Sequence, residues 1–82
     1  MRLPRDIGGQ YLVRQLALYG YSITRQTGCH VKIMSAQAGR EHQITITTGR
    51  LLRMATLNNI LTEIASYLSI EKDALITALF FA

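Results

Sequence analysis

Three stretches of alternating polarity, separated by turns too short to hold a helix, restrict this chain more than any other feature. They are residues 21–26 (Tyr-Ser-Ile-Thr-Arg-Gln), 30–34 (His-Val-Lys-Ile-Met) and 42–47 (His-Gln-Ile-Thr-Ile-Thr). A period of two sends successive side chains to opposite faces of a strand. The segments between them, Thr27-Gly28-Cys29 and the residues around Gln37-Ala38-Gly39-Arg40, carry turn chemistry. Parallel neighbours would need a crossover of about a dozen residues or more, so the sheet is expected to be a three-stranded antiparallel meander.

Helical periodicity flanks this core on both sides. Residues 11–20 place Leu12, Val13, Leu16, Ala17 and Tyr19 along one face with Arg14 and Gln15 opposite, and Gly20 stands where a left-handed cap falls. After Gly49 and a basic loop through Arg50 and Arg53, Thr56 is the expected N-cap of a second helix striped by Leu57, Ile60, Leu61, Ile64, Ala65 and Leu68. Ser69 is the expected cap of a short third helix with Glu71 and Asp73 in its first turn, where the macrodipole favours acids. Its apolar residues, Leu75, Ile76, Leu79 and Phe80, either pack on the core or cover a partner. The predicted order is α-β-β-β-α(-α), one α+β domain over residues 1–82 with the helices on one face of the sheet. A chain of 82 residues is long enough for one core and too short for two domains, which confines any chemistry to a surface or a shallow groove.

Strand parity then assigns the faces. Tyr21, Ile23, Val31, Ile33, Ile44 and Ile46 go to the helices. A three-residue loop at Thr27-Gly28-Cys29 sets Gln26 opposite His30 and Ile23 opposite Ile33. The outward face then carries Ser22, Thr24, Gln26, His30, Lys32, Gln43, Thr45 and Thr47. His42 falls on the side of Ile44 and Ile46, so the two histidines do not form a paired acid and base. His42 reads as a strand-end residue at the margin of the core.

Several function classes drop out on composition. No run approaches the roughly 18 apolar residues of a membrane helix. Met1 leads into Arg2, Leu3, Pro4 and Arg5 without the apolar core of a secretory signal, so a cytoplasmic protein is expected. Cys29 has no partner for an internal disulfide, and His30 and His42 have no zinc-ligand spacing, so neither a metal nor another cofactor is expected. The net charge of +4 is uneven: residues 1–62 hold eight basic side chains against Asp6 and Glu41, whereas 63–82 hold Lys72 against Glu63, Glu71 and Asp73. Such a field suits a polyanion, and a solvated surface accounts for it equally.

A further set of residues carries a resemblance. It comprises Leu3-Pro4-Arg5-Asp6-Ile7, the helix ending in Tyr19-Gly20-Tyr21, the turn Arg25-Gln26-Thr27-Gly28-Cys29-His30-Val31, the strand Ile44-Thr45-Ile46, and the helix start Thr56-Leu57-Asn58-Asn59-Ile60-Leu61 followed by Ile70 to Leu79. In that order and spacing, over nearly the whole chain, it resembles the HicA (YcfA-like) family of small toxins, mRNA interferases of type II toxin-antitoxin systems. The resemblance implies a fold like a double-stranded RNA-binding domain, metal-independent cleavage of mRNA, His30 as the catalytic residue, and a HicB-type antitoxin as partner. The chemistry implied is removal of a ribose 2′-hydroxyl proton by imidazole, whose ordinary pKa of about 6.5 suits neutral pH. RNA contact would fall to Lys32, Arg25, Gln26 and Thr24, and to Arg50 and Arg53 in the loop. Lys32 either stabilises charge at phosphorus or is a solvated strand residue. The chain departs from the family pattern at Cys29, where a serine is usual, at Gly8, where a serine would cap the first helix, and at Met54-Ala55. Cys29 is read as a turn residue and not as a nucleophile. The alternative function is a non-catalytic RNA-binding or protein-interaction domain of the same fold, in which Leu18, Met34, Phe80 and Phe81 meet a partner or a second copy.

Overall fold

Helix formation begins earlier than the apolar spacing predicts, and two glycines are the reason. In the computed structural model, which describes residues 3–82, helix α1 spans Gly9–Leu16 and tightens into a 3-10 turn over Ala17–Tyr19. Met1 and Arg2, which open the segment read above as lacking a secretory signal, lie outside the described residues. Gly8 is the extended N-cap, its carbonyl accepting from the Leu12 amide at 3.0 Å. Residues 7 and 8 also pair with the loop ahead of the second helix: Leu52 N–H donates to the Ile7 carbonyl at 2.8 Å, and Gly8 bridges Leu51. A Cβ on Gly9 would lie 1.8 Å from the Thr47 carbonyl oxygen, so only glycine lets α1 start against the end of the third strand. Gly20 ends the helical segment in the left-handed region, as expected.

The meander is present. Strands β1 (Ser22–Thr27), β2 (His30–Ser35) and β3 (His42–Thr47) form one antiparallel sheet in that order. Its registry differs from the expected one in a way that alters the candidate site. The connection between β1 and β2 has two residues, Gly28 and Cys29, so His30 faces Thr27 and Val31 faces Gln26. Ile23 still faces Ile33, because a bulge at Thr24 absorbs the extra residue. Parity in β1 is therefore reset after Thr24. Arg25 and Thr27 share the open face with His30 and Lys32, whereas Gln26 turns to the helix side, where it lines a cleft with Gln10, Val13 and Val31.

Helix α2 (Met54–Leu68) starts two residues before the expected Thr56 cap. Arg53 is extended and supplies the first carbonyl, to Leu57 N–H at 2.9 Å, with no side-chain cap. Ser69 does not cap the next helix. It ends α2 in the left-handed region at φ 57°, with Ile70 N–H donating to the Ala65 carbonyl at 3.1 Å, a Schellman arrangement with serine in the usual glycine position. Helix α3 (Lys72–Ile76) follows from an extended Glu71 and widens into a π-type turn over Thr77–Phe81. Of the two acids expected in its first turn, Asp73 lies there and Glu71 precedes it.

The core is where α1, α2, α3 and the inner faces of β2 and β3 meet. Leu12, Leu16, Ile33, Ile46, Leu57, Leu61, Ile64, Leu75, Ile76 and Leu79 are all buried. The third helix thus packs on the core: Gln15 Nε2 donates to the Leu79 carbonyl at 2.7 Å, and the Tyr11 and Phe80 rings stack at 6.3 Å. Two residues expected inside are exposed, Ala17 and Ile23. Ile23 is 53% exposed, on an edge strand whose residues are all exposed, and lines an open cleft with Gln26 beside Gln10 and Val13 of α1. No helix among the described residues is long and apolar enough to cross a membrane.

Candidate functional site

His30 is the first residue of β2, so the turn before it fixes its position. The Cys29 carbonyl accepts two hydrogen bonds from Thr48, from the amide at 2.7 Å and from Oγ1 at 3.2 Å. The Cys29 side chain lies against Gly49, where an added Cβ would come within 2.8 Å of Sγ. The β1–β2 turn is therefore clamped to the exit of β3, and His30 stands between Thr27 on one side and Thr47 on the other.

Shallow clefts open on both sides of the imidazole. One is lined by Arg25, Thr27, Lys32 and Thr45, the other by Cys29, Thr47, Gly49 and Arg50. A third depression continues past Thr47 and Arg50 to Arg53 and Thr56 at the start of α2. Four cations, Arg25, Lys32, Arg50 and Arg53, thus follow a strip with His30 in its middle. Among the described residues no carboxylate pairs with any of them, and no hydrogen bond holds the His30 ring. Unpaired cations on one strip raise the local concentration of an anion, and the strip's hydroxyls can donate to one.

Four of the six expected RNA-contacting residues belong to this strip: Arg25, Lys32, Arg50 and Arg53. Gln26 does not, since the two-residue turn puts it on the helix side of the sheet. Thr24 is the bulge residue, and its hydroxyl is directed to the Lys32 carbonyl at 3.3 Å, where it supports the bulge. Thr27, read above as part of the loop, takes the place beside His30 instead. The Gly28-Cys29 pair was the available signal, because two-residue hairpin turns favour a glycine with positive φ, and Gly28 has φ 56°. The Cys29 thiol makes no hydrogen bond to His30, and packing against Gly49 accounts for it. Among the described residues no three of His, Cys, Asp and Glu converge in a group that could hold a metal ion.

The other histidine belongs to a different structure. His42 begins β3 opposite Ser35. Its Nδ1 lies 2.7 Å from the Tyr21 hydroxyl and its Nε2 lies 2.8 Å from a Glu63 carboxylate oxygen. A neutral ring protonated on Nε2 satisfies both contacts, with Tyr21 donating to Nδ1 and Nε2–H donating to Glu63. The His42 ring stacks on Tyr67 at 4.7 Å. The Tyr67 hydroxyl accepts from Ala38 N–H at 3.1 Å and has the Ser35 and Arg40 carbonyls as acceptors. Burial, reinforced by the neighbouring Tyr67 and Glu63, holds the Tyr21 hydroxyl well above its ordinary pKa. This cluster locks the β2–β3 turn onto α2.

The chain matches no family model, and neither a curated protein nor a solved structure was found to match it.

Proposed function

We propose that this protein is a metal-independent endoribonuclease of the HicA kind, a toxin that cleaves mRNA and is held inactive by a HicB-type antitoxin. The observation that carries the reading is the placement of His30: an exposed imidazole, free of any hydrogen bond among the described residues, between cations that no described carboxylate pairs, Arg25 and Lys32 on one side and Arg50 and Arg53 on the other. The order helix, three antiparallel strands, helix is that of a double-stranded RNA-binding domain, and the reading takes the chain to have that fold.

In this reading an RNA backbone lies along the strip, with a phosphate on each side of His30 neutralised by Arg25 and Lys32 or by Arg50. The imidazole takes the proton of the ribose 2′-hydroxyl, the oxygen attacks phosphorus, and a 2′,3′-cyclic phosphate forms as the 5′-oxygen leaves. Lys32 stabilises the added negative charge at phosphorus. Among the described residues no second imidazole or carboxylate lines these two clefts, so in this reading the leaving oxygen takes its proton from water or another group. Acid-base help from one group of this kind is worth about 10²- to 10⁴-fold, which makes a modest enzyme with few base contacts.

The test is expression of the wild type and of His30→Ala in growing cells, with total RNA followed in each. Growth arrest and RNA loss confined to the wild type is the expected result; an equally toxic, folded His30→Ala protein removes the assignment. That no described residue hydrogen-bonds the His30 ring favours a second reading, a silent RNA-binding domain of the same fold. That reading gives salt-sensitive RNA binding with intact RNA after long incubation for both proteins.

A further inference from the structure

Beside the cationic strip, between the outer edge of β3 and helix α2, lies a groove of different chemistry. We propose that it is a nucleobase subsite, which takes a base carrying an exocyclic amino group (adenine, cytosine or guanine) from an RNA strand on the strip and rejects uracil. The inference rests on the reading of the strip as a path for RNA and needs no cleavage.

Hydrogen-bond parity decides which backbone groups of β3 are free. Thr48 N–H donates to the Cys29 carbonyl, so Cys29/Thr48 is a bonded pair of the β2–β3 ladder, and Val31/Ile46, Ile33/Ile44 and Ser35/His42 follow by alternation. The amides and carbonyls of Gln43 and Thr45 therefore point away from β2, and no hydrogen bond among the described residues uses them. The open edge is short. Beyond Thr45, Gly9 at the start of α1 closes on the Thr47 carbonyl. Strands in folded proteins usually run to about five or six residues, so this edge is a poor seat for an added strand. It suits the rim of one planar ring, which needs a donor and an acceptor side by side.

Side chains complete the groove. Half-buried Ile44 and Ile60 give it an apolar surface, and the Gln43 and Asn59 amides and the Glu63 carboxylate line it. A base has the same distribution, apolar on its faces and polar at its rim. Glu63 Oε2 meets His42 Nε2 at 2.8 Å, which leaves Oε1 to accept from a ligand. An ionised carboxylate only accepts. The amino group of adenine, cytosine or guanine donates to it, whereas uracil presents one N–H between two carbonyl oxygens, which the carboxylate repels.

Continuity with the strip identifies the occupant. Thr56 lines both this groove and the depression that holds Arg50 and Arg53. Thr45 lines both the groove and the cleft of Arg25, His30 and Lys32. A nucleotide whose phosphate lies against Arg50 and Arg53 thus has its base at the mouth of the groove. The cleft at the other edge, between α1 and β1, has the Gln10 and Gln26 amides and, among the described residues, no carboxylate. It shares no lining residue with the clefts of the strip.

The test measures binding of the full chain, as His30→Ala so that the RNA survives, to a labelled short oligouridylate and to the same oligomer with one central uridine replaced by adenosine, cytidine or guanosine. The three substituted oligomers should bind about tenfold tighter, which is about 1.4 kcal/mol, and the Thr45 amide should gain exchange protection when they bind. Asn59→Ala and Gln43→Ala, both at exposed positions, should each pull the affinity ratio towards one, and Gln26→Ala should leave it unchanged. Equal affinity for all four oligomers overturns the proposal, as does a ratio that falls with Gln26→Ala instead, or a protein that binds none of them. Thr45 protection that grows with protein concentration in the absence of RNA places a second copy on the edge and also overturns it. RNA bound with this preference and never cut by the wild type keeps the subsite and removes the ribonuclease, whereas RNA cut but bound without preference overturns the subsite alone.

Discussion

The sheet has a histidine near each end, on opposite faces, and their surroundings are contrary. His30 is exposed, has no hydrogen bond to its ring among the described residues, and lies among cations. His42, roughly 17 Å along the sheet by strand rise, is half-buried, bonded at both nitrogens and stacked on Tyr67. A ring whose nitrogens are both occupied is committed to holding its neighbours in place. A ring with free nitrogens in a cationic setting is available to a substrate, and the protein builds it without cost to its core.

The largest expected effect separates the two ends. On the proposed ribonuclease reading, His30→Ala should lower RNA cleavage by about 10²- to 10⁴-fold with no change in melting temperature, whereas His42→Ala should leave cleavage by the folded fraction intact. Single-turnover cleavage beside a thermal melt measures both, and equal losses of activity in the two variants would erase the distinction. Next in size is the stability cost of His42→Ala, about 1–3 kcal/mol in urea unfolding, because the Tyr21 hydroxyl loses its partner in a buried setting. The exposed Glu63 partner adds little to that cost.

A pH effect follows from Tyr21. Its pKa is raised in the folded state by burial first, and then by Tyr67 and Glu63, so the unfolded chain releases this proton at lower pH than the folded one. The contribution is complete below the unfolded tyrosine value of about 10 and is lost as pH rises above it. Melting temperatures through that range should fall for the wild type, and the Tyr21→Phe profile should be flatter. The smallest effect belongs to the His30 end. Thr48→Val removes one of the two donors to the Cys29 carbonyl, at a cost of about 0.5–1 kcal/mol. Faster amide exchange in the Gly28-Cys29 turn would show that this clamp, rather than the strand ladder alone, positions the imidazole.

Much of the architecture was legible because it rests on periodicity. The three strands, the three helices and the separation of the histidines onto opposite faces all follow from apolar spacing, and residues such as Ile33, Leu61 and Leu75 are buried where that spacing puts them. Helix ends were less legible. Thr56 and Ser69 have good cap chemistry, yet Arg53 and Glu71 precede the helices: the backbone pairing of residues 51–52 with 7–8 fixes the chain ahead of α2, and Ser69 is taken up in the left-handed end of α2. The placement of Arg25, Lys32, Arg50 and Arg53 around His30 was legible in part, and the faces of β1 were misread. Parity counted inward from Ile23 is correct up to Thr24 and wrong beyond it, and no residue type in Ser-Ile-Thr-Arg-Gln-Thr announces a bulge.

That bulge decouples the two halves of β1. The head of the strand takes its register from Ile23 beside Ile33, the tail takes its own from the Gly28-Cys29 turn, and Thr24 is the slack between them. A chain with Thr24 deleted would keep Ile23 opposite Ile33 and Arg25 opposite Lys32, with an unbroken ladder in place of the joint. Changes of length at this point should therefore be silent to both the core and the cationic strip, whereas a single residue gained or lost between Arg25 and His30 would turn Arg25 away from Lys32.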